Sequence, residues 1–340
     1  MNPLASFTQI AYYSQHFTDT ILWTPFVLQV CQRHNLFSCA SVRIGIPGTF
    51  PTFIVEDCWV IKFYGELFDG YRSFVIEKSV SDLVSVTSTA LPIPELIAEG
   101  FLFASSSEWP WPYLIFSFLP GARIGEVYSQ VKDEDRFDLA HDLGRWIKYL
   151  HAINPFTTPI HLPDESQTSL HLALPSQLIP YPAFLEQRRQ QCAADHRAWG
   201  ALPAHLIEQI DAFLPPAASL VPSHPRQYLI HADLTNDHIL GSLVNGRWKT
   251  SGIIDFGDAM LGDIYYELVA LYLDLFAYDR QLLAAFLESY GVDEWLTEDF
   301  RHKAMTCTLL HRFNVLENLA AHFPESESVN DINELAELLW

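Results

Sequence analysis

The spacing of apolar and polar positions changes several times along the chain, and each change marks an element. Over residues 6–36, Phe7, Ile10, Ala11, Ile21, Phe26 and Val30 recur as they would on an amphipathic helical segment. Short β-branched and aromatic runs follow at Ser41 to Ile46, Thr52 to Glu56 and Trp59 to Tyr64. Turn signals at Pro47-Gly48 and Asp57-Cys58 separate them, so three strands are predicted. A helix is predicted from Tyr71 to Val86. Leu91-Pro92-Ile93-Pro94 cannot be helical, because proline lacks a donor and excludes the helical conformation before it. Two more strands are expected near Leu96 to Phe103 and Tyr113 to Phe118, and Leu119-Pro120-Gly121 ends the sheet.

From there the pattern is mainly helical. The clearest helix runs from about Glu134 to Ala152, with Phe137, Ala140, Leu143, Ile147 and Leu150 on one face. Pro155 to Pro225 is rich in proline and short helical runs and reads as an insertion. One hairpin interrupts the helices: Ile239 to Val244 and Trp248 to Ile254, turned by Asn245-Gly246, a strong hairpin signal. The last hundred residues alternate helices with acidic loops, and no internal repeat or low-complexity segment is present. This order predicts a bilobal α+β protein. Residues 1–118 form a small N-lobe with an antiparallel sheet and one following helix, and residues 119–340 form a larger helical C-lobe.

Composition narrows the function classes. A chain of 340 residues has room for two lobes with separate cores, and 49% hydrophobic residues make it globular. The formal charge of −21 argues against nucleic acid or an anionic membrane as partner. It favours solubility and a cationic small-molecule substrate. The start MNPLASFTQIAYYSQ lacks a basic segment followed by an apolar core, and Leu268 to Ala277 is broken by Asp274 and too short to span a bilayer. Five cysteines, scattered and odd in number, fit a reduced cytoplasm better than a disulfide framework or a zinc site. Oligomeric state is not legible.

The candidate chemistry lies in two segments, HADLTNDHIL at 231–240 and GIIDFGDA at 252–259. Asp233 and Asp255 each end an apolar run on a sharp polar turn, and the hairpin between them brings both carboxylates to one sheet edge. There one could take a proton while the other holds Mg²⁺. Phosphoryl transfer needs that division, because its catalysis is mostly positioning and charge neutralisation.

These motifs resemble those of the aminoglycoside phosphotransferases, a small-molecule branch of the protein-kinase-like fold, and most of all the hygromycin type, over about residues 41 to 275. The resemblance implies that Asp233 orients the acceptor hydroxyl and takes its proton, that His231 holds the loop, and that Asp255 binds the metal. His238 stands where the family has its second metal ligand, an asparagine, and imidazole suits softer metals than Mg²⁺. Three outcomes are open: His238 ligates, Asn236 or Asp237 substitutes, or that ligand position is lost. Lys62, in Trp59-Val60-Ile61-Lys62-Phe63, matches the lysine of the α- and β-phosphates, with Glu77 as its ion-pair partner. Gly48, in Gly45-Ile46-Pro47-Gly48-Thr49, is placed to cover phosphates.

The hinge Phe116-Ser117-Phe118-Leu119 would present the Ser117 C=O and Leu119 N–H to the adenine edge, with Val60, Phe116 and Ile254 forming an apolar slot. Asp263 is expected to cap the helix from Tyr265 to Leu275. Acidic residues for a cationic acceptor are Asp258 and Glu267 first, then Asp274, Glu317, Glu334 and Glu337. The implied activity is transfer of the γ-phosphate of ATP (or GTP), with Mg²⁺, to an aminoglycoside such as hygromycin. Kinases for choline-like amino alcohols or macrolides share these motifs. A non-catalytic kinase-like nucleotide-binding module is the rival, and His238 is its main argument. Protein-kinase activity is disfavoured, since no activation segment separates Asp255 from the helix at Tyr265.

Overall fold

In the computed structural model the described residues are 4–36, 41–46, 48–87, 90–103, 109–153, 180–220, 227–291 and 299–340. Pro47, and residues 154–179 and 221–226 of the expected insertion, lie outside them. Five strands form an antiparallel sheet: β1 (Val42–Ile44), β2 (Thr52–Val55), β3 (Trp59–Phe63), β4 (Leu96–Phe101) and β5 (Pro112–Ser117), ordered β1-β2-β3-β5-β4. Side chains alternate across a strand, so each central strand serves two cores. Ile61, Phe63, Tyr113 and Ile115 pack with Trp23, Val27 and Val30. Leu114 and Phe116 pack with Phe74 on the opposite face. Lys62 is paired with Leu114 and so shares that second face.

The first face is covered by α1 (Ile10–His16) and α2 (Thr20–Arg33), which split the single helical segment expected over 6–36. Asp19 makes the break by accepting hydrogen bonds from the N–H groups of Ile21 and Leu22, 2.9 and 3.1 Å away. The second face is covered by α3 (Gly70–Val86), the predicted helix.

The hinge leads into a helical lobe. Its largest helix, Asp133–Ala152, packs against Arg280–Tyr290. Within the expected insertion stands a 19-residue helix, Tyr181–Trp199, rather than short helices alone. It buries Tyr181, Leu185 and Cys192 in the main core, so this stretch is part of the lobe. The strand content also exceeds expectation. β6 (Ala122–Arg123) joins the hairpin of β8 (Ile239–Val244) and β9 (Arg247–Ile253), while β7 (Tyr228–Ile230) pairs with β10 (Met260–Gly262). β6 can reach β8 because residue 121 is glycine. Its φ is +127, and a Cβ there would lie 2.2 Å from the Gly241 carbonyl oxygen. Asn245 (φ 53) and Gly246 (φ 73) make the hairpin turn with both central residues left-handed, as its sequence requires.

Cys58, Cys192 and Cys307 are free thiols, and no helix among the described residues is long and apolar enough to cross a membrane. Three buried histidines have a measurable consequence. Burial holds His151, His231 and His311 down from 6.5 to about 3. Their imidazoles are therefore expected to stay neutral at pH 5 in a ¹⁵N NMR titration, where exposed histidines protonate; protonation near pH 6.5 would contradict the packing. A depressed histidine contributes stability that is complete above pH 6.5 and lost as pH falls toward 3. Glu267, pushed up to about 7, works in the opposite sense between its ordinary 4.5 and 7.

Candidate active site

Lys62 lies on the α3 face of β3, and Glu77 lies on α3 opposite it. Lys62 Nζ stands 2.8 Å from Glu77 Oε2 and 2.7 Å from Asp255 Oδ1. The Tyr64 hydroxyl donates to the same Glu77 oxygen at 2.5 Å. Burial alone would lower the lysine, but Asp255 and Glu77 outweigh it and hold Lys62 above its ordinary value, so it stays charged. Asp255 moves the other way: burial would raise it, but Lys62 and His238 keep it well below the usual carboxylate range.

Two loops bring the other groups. β7 ends at Ile230, and its pairing with β10 sets the segment after Ile230 beside the segment before Met260. From the other side the β8–β9 register aligns Ile239 with Ile253, and the Ile254 N–H donates to the His238 carbonyl at 3.0 Å. The two loops are also tied directly, since the ring Nε2 of His231 lies 3.0 Å from the Ile254 carbonyl. Ala232 (φ 66) and Asp255 (φ 66) both hold left-handed backbone, uncommon for residues with a Cβ. Ala232 is fixed from both ends: its N–H donates to Glu267 Oε2 at 2.8 Å, and His311 Nε2 lies 3.3 Å from its carbonyl. Strain held this firmly beside a cleft carboxylate is typical of functional loops.

His238 sits between the carboxylates. Its Nδ1 is 2.5 Å from the Asp233 carbonyl and 3.7 Å from Asp233 Oδ2, and its Nε2 is 3.9 Å from Asp255 Oδ2. Burial would lower the imidazole, yet Asp255 and Asp233 outweigh it and raise it. Burial also pushes the Asp233 carboxyl up to about 7, against the pull of His238. Of the three outcomes for the second ligand, this geometry aims His238 into the cleft. Asn236 packs against Gly125, where a Cβ would come 2.4 Å from Asn236 Oδ1, and Asp237 pairs with Arg123 at 3.1 Å.

The cleft consists of two adjoining cavities. One, about 310 Å³, is lined by Val60, Phe116, Ile254, Ser117, Leu119 and Lys62, so the expected slot and hinge residues face a single space. The other, about 300 Å³, opens on the Asp233 side and includes Asp258, Asp274, Tyr278, Phe313 and Glu317. Gly48, Thr49, Phe50, His238 and Asp255 line both. Gly48 lies over the carboxylate, and a Cβ on it would stand 3.9 Å from Asp255 Oδ2.

One expectation about the acidic residues needs correction. Glu267 does not face the cleft. It is 1% exposed, and its two oxygens accept the backbone N–H groups of His231 and Ala232, 3.2 and 2.8 Å away. Its role is to hold the loop that carries Asp233. Asp258 does line the second cavity, but Arg312 answers its charge at 2.6 Å. Glu334 is likewise committed, to the N–H and side-chain amide of Asn330. Asp263 caps Ile264–Ala270 as expected, accepting from Tyr266 N at 2.9 Å. That helix continues into a π-helical turn at Leu271–Leu275 instead of running on regularly. The wider turn sets Asp274 against the Asn236 N–H, 2.7 Å away, an irregularity common at functional sites. Arg312 was missed because Arg312-Phe313-Asn314 carries no motif.

A buried lysine–glutamate pair under an antiparallel sheet, hinged to a helical lobe whose two loops present carboxylates to the same cleft, defines the protein-kinase-like fold. Residues 49–301 match the phosphotransferase enzyme family, and the chain belongs to that family. The GDP complex of wild-type aminoglycoside 2'-phosphotransferase-IIIa superposes with a TM-score of 0.62 at 20% identity, covering 94% of this chain and 98% of that one. Macrolide 2'-phosphotransferase MphH from Brachybacterium faecium gives 0.50 at 18% identity, covering 89% and 96%. A thermostable APH(4)-Ia with ADP and hygromycin B gives 0.50 at 15% identity, covering 92% and 96%. Among curated proteins, lysine-specific demethylase JMJ21 of Arabidopsis thaliana is 25% identical over 282 residues. That match covers 70% of this chain, which spans only 29% of the length of that relative.

Proposed function

We propose that the chain transfers the γ-phosphoryl group of ATP, or of GTP, to a hydroxyl of a small cationic molecule, with an aminoglycoside as the leading acceptor. The observation that carries this reading is the seam between the cavities. A nucleotide-sized space with an apolar slot and a charged lysine meets a second space at Gly48, Thr49, Phe50, His238 and Asp255. An acceptor in the second space would lie beside Asp233. As its oxygen bonds to the γ-phosphorus, the bond to the β-bridging oxygen breaks, nucleoside diphosphate leaves, and the hydroxyl proton passes to Asp233. A carboxyl raised to about 7 is a stronger base than an ordinary one and still ionises near neutrality. Lys62 would neutralise the α- and β-phosphates.

The residues also fit a divalent cation. Asp255 and Asp233 draw enough positive charge to raise His238 between them. No group of three or more protein ligands is preformed among the described residues, so phosphate oxygens and water would complete the shell, as Mg²⁺ favours. Asp255 would hold it, joined by His238 once the cation has displaced the proton from its Nε2. When bound, the ion supplies charge neutralisation at the phosphates. For the acceptor, Asp274 and Glu317 supply negative charge and Tyr278 and Phe313 supply aromatic faces. This is a lining suited to amines. Solved neighbours include complexes with kanamycin, gentamicin and streptomycin.

The test is phosphate transfer from ATP and from GTP to a panel containing kanamycin, gentamicin, hygromycin B, choline and a macrolide. Transfer to one or more polycationic members is expected, with the macrolide inert. Tight nucleotide binding without transfer to any acceptor would support the binding-module reading instead.

A further inference from the structure

The segment at the seam of the two cavities is held from outside the family-matched region. Gly48, Thr49 and Phe50 line both spaces, and the matched region begins at Thr49. The Tyr13 hydroxyl, on α1, donates to the Thr49 carbonyl across 2.7 Å. Tyr13 is 2% exposed and packed on several sides. Its ring stacks on Phe17 with centroids 5.5 Å apart, meets Phe7 and Phe68 edge-on at 5.7 and 5.6 Å, and presses on Gly65, where a Cβ would come 3.0 Å from Tyr13 Cε2. The ring therefore has one position, and its hydroxyl one target. Burial pushes that hydroxyl above its ordinary value, so it remains a protonated donor.

A peptide unit is planar and trans, with C=O and N–H on opposite sides. A Thr49 carbonyl bound to α1 thus turns the Phe50 N–H away from α1. That N–H has no acceptor among the described residues.

We propose that Tyr13 is a positioning residue for nucleotide: through the Thr49 carbonyl, the N-terminal helices fix the backbone at residues 48–50, where it closes over the phosphates. The proposal rests on the cleft being a nucleotide site, and its test separates the two. Binding of a fluorescent ribose-labelled ATP, with Mg²⁺, is titrated for wild type and Tyr13→Phe, alongside steady-state kinetics and thermal melting. Removing one net hydrogen bond from a preorganised segment should weaken nucleotide binding roughly 3- to 10-fold. The KM for nucleotide should rise in step, while kcat and the acceptor KM stay within about twofold. Tyr12→Phe, next to it on α1, should leave nucleotide affinity unchanged.

Equal nucleotide affinity for wild type and Tyr13→Phe would overturn the proposal. So would a loss shared evenly between nucleotide, acceptor and melting temperature, because that is what a merely structural contact gives. If wild type bound no nucleotide, the reading of the cleft and the proposal would fall together.

Discussion

Replacing Asp233 with asparagine is expected to lower turnover by on the order of 10²- to 10⁴-fold while leaving the fold and nucleotide affinity intact. The range is that of a positioned general base. The geometry explains why folding should survive. The contact that ties Asp233 to its loop runs from His238 to the Asp233 backbone carbonyl, and the left-handed residue before it is fixed by Glu267. Asparagine keeps the shape and loses only the ability to take a proton. Rapid-quench measurement of one turnover, with nucleotide binding titrated separately, gives the answer. An unchanged chemical rate would remove Asp233 from the reaction.

Asp255→Asn is the second large effect. Asparagine is preferred to alanine because position 255 has φ 66, which asparagine tolerates and other side chains resist. The substitution removes the charge that Lys62 contacts and that would face the cation. Lys62 keeps Glu77, so the sheet and α3 should stay joined. The expected result is loss of cation-dependent nucleotide binding, and a fall in transfer of roughly 10³-fold or more, matching several kcal/mol of charge stabilisation. Titration of nucleotide with and without Mg²⁺ checks it. A variant that still bound nucleotide more tightly with Mg²⁺ would show that another residue holds the ion.

Much of this architecture could be read locally. Asn245-Gly246 specified its turn because both positions need positive φ, and the helix over Asp133–Ala152 showed because its buried positions repeat every three or four residues. Lys62 was conspicuous as a charge inside an apolar strand. Its partner on α3 could be guessed because strand and helix are consecutive. What stayed hidden depends on contacts distant in sequence. Glu267 looks like any acidic residue on a helix, and only folding places it beneath the backbone of Ala232. Arg312 reaches Asp258 from 54 positions away. The π-helical turn at Leu271–Leu275 has no signature in residue pattern. The hygromycin-type likeness was finer than the motifs at 231–240 and 252–259 could carry.

The contact between Lys62 and Asp255 joins the sheet to the loops of the helical lobe. Before any ligand arrives, each group therefore already has an internal counterion. On the proposed reading, entry of a triphosphate with its cation would be an exchange of partners rather than an addition of new ones, with Lys62 released to phosphate oxygens and Asp255 to the cation. The sheet and the loops are thereby held together by a contact that a ligand would have to break, so occupancy of the cleft and the spacing of the two lobes are coupled through one side-chain pair.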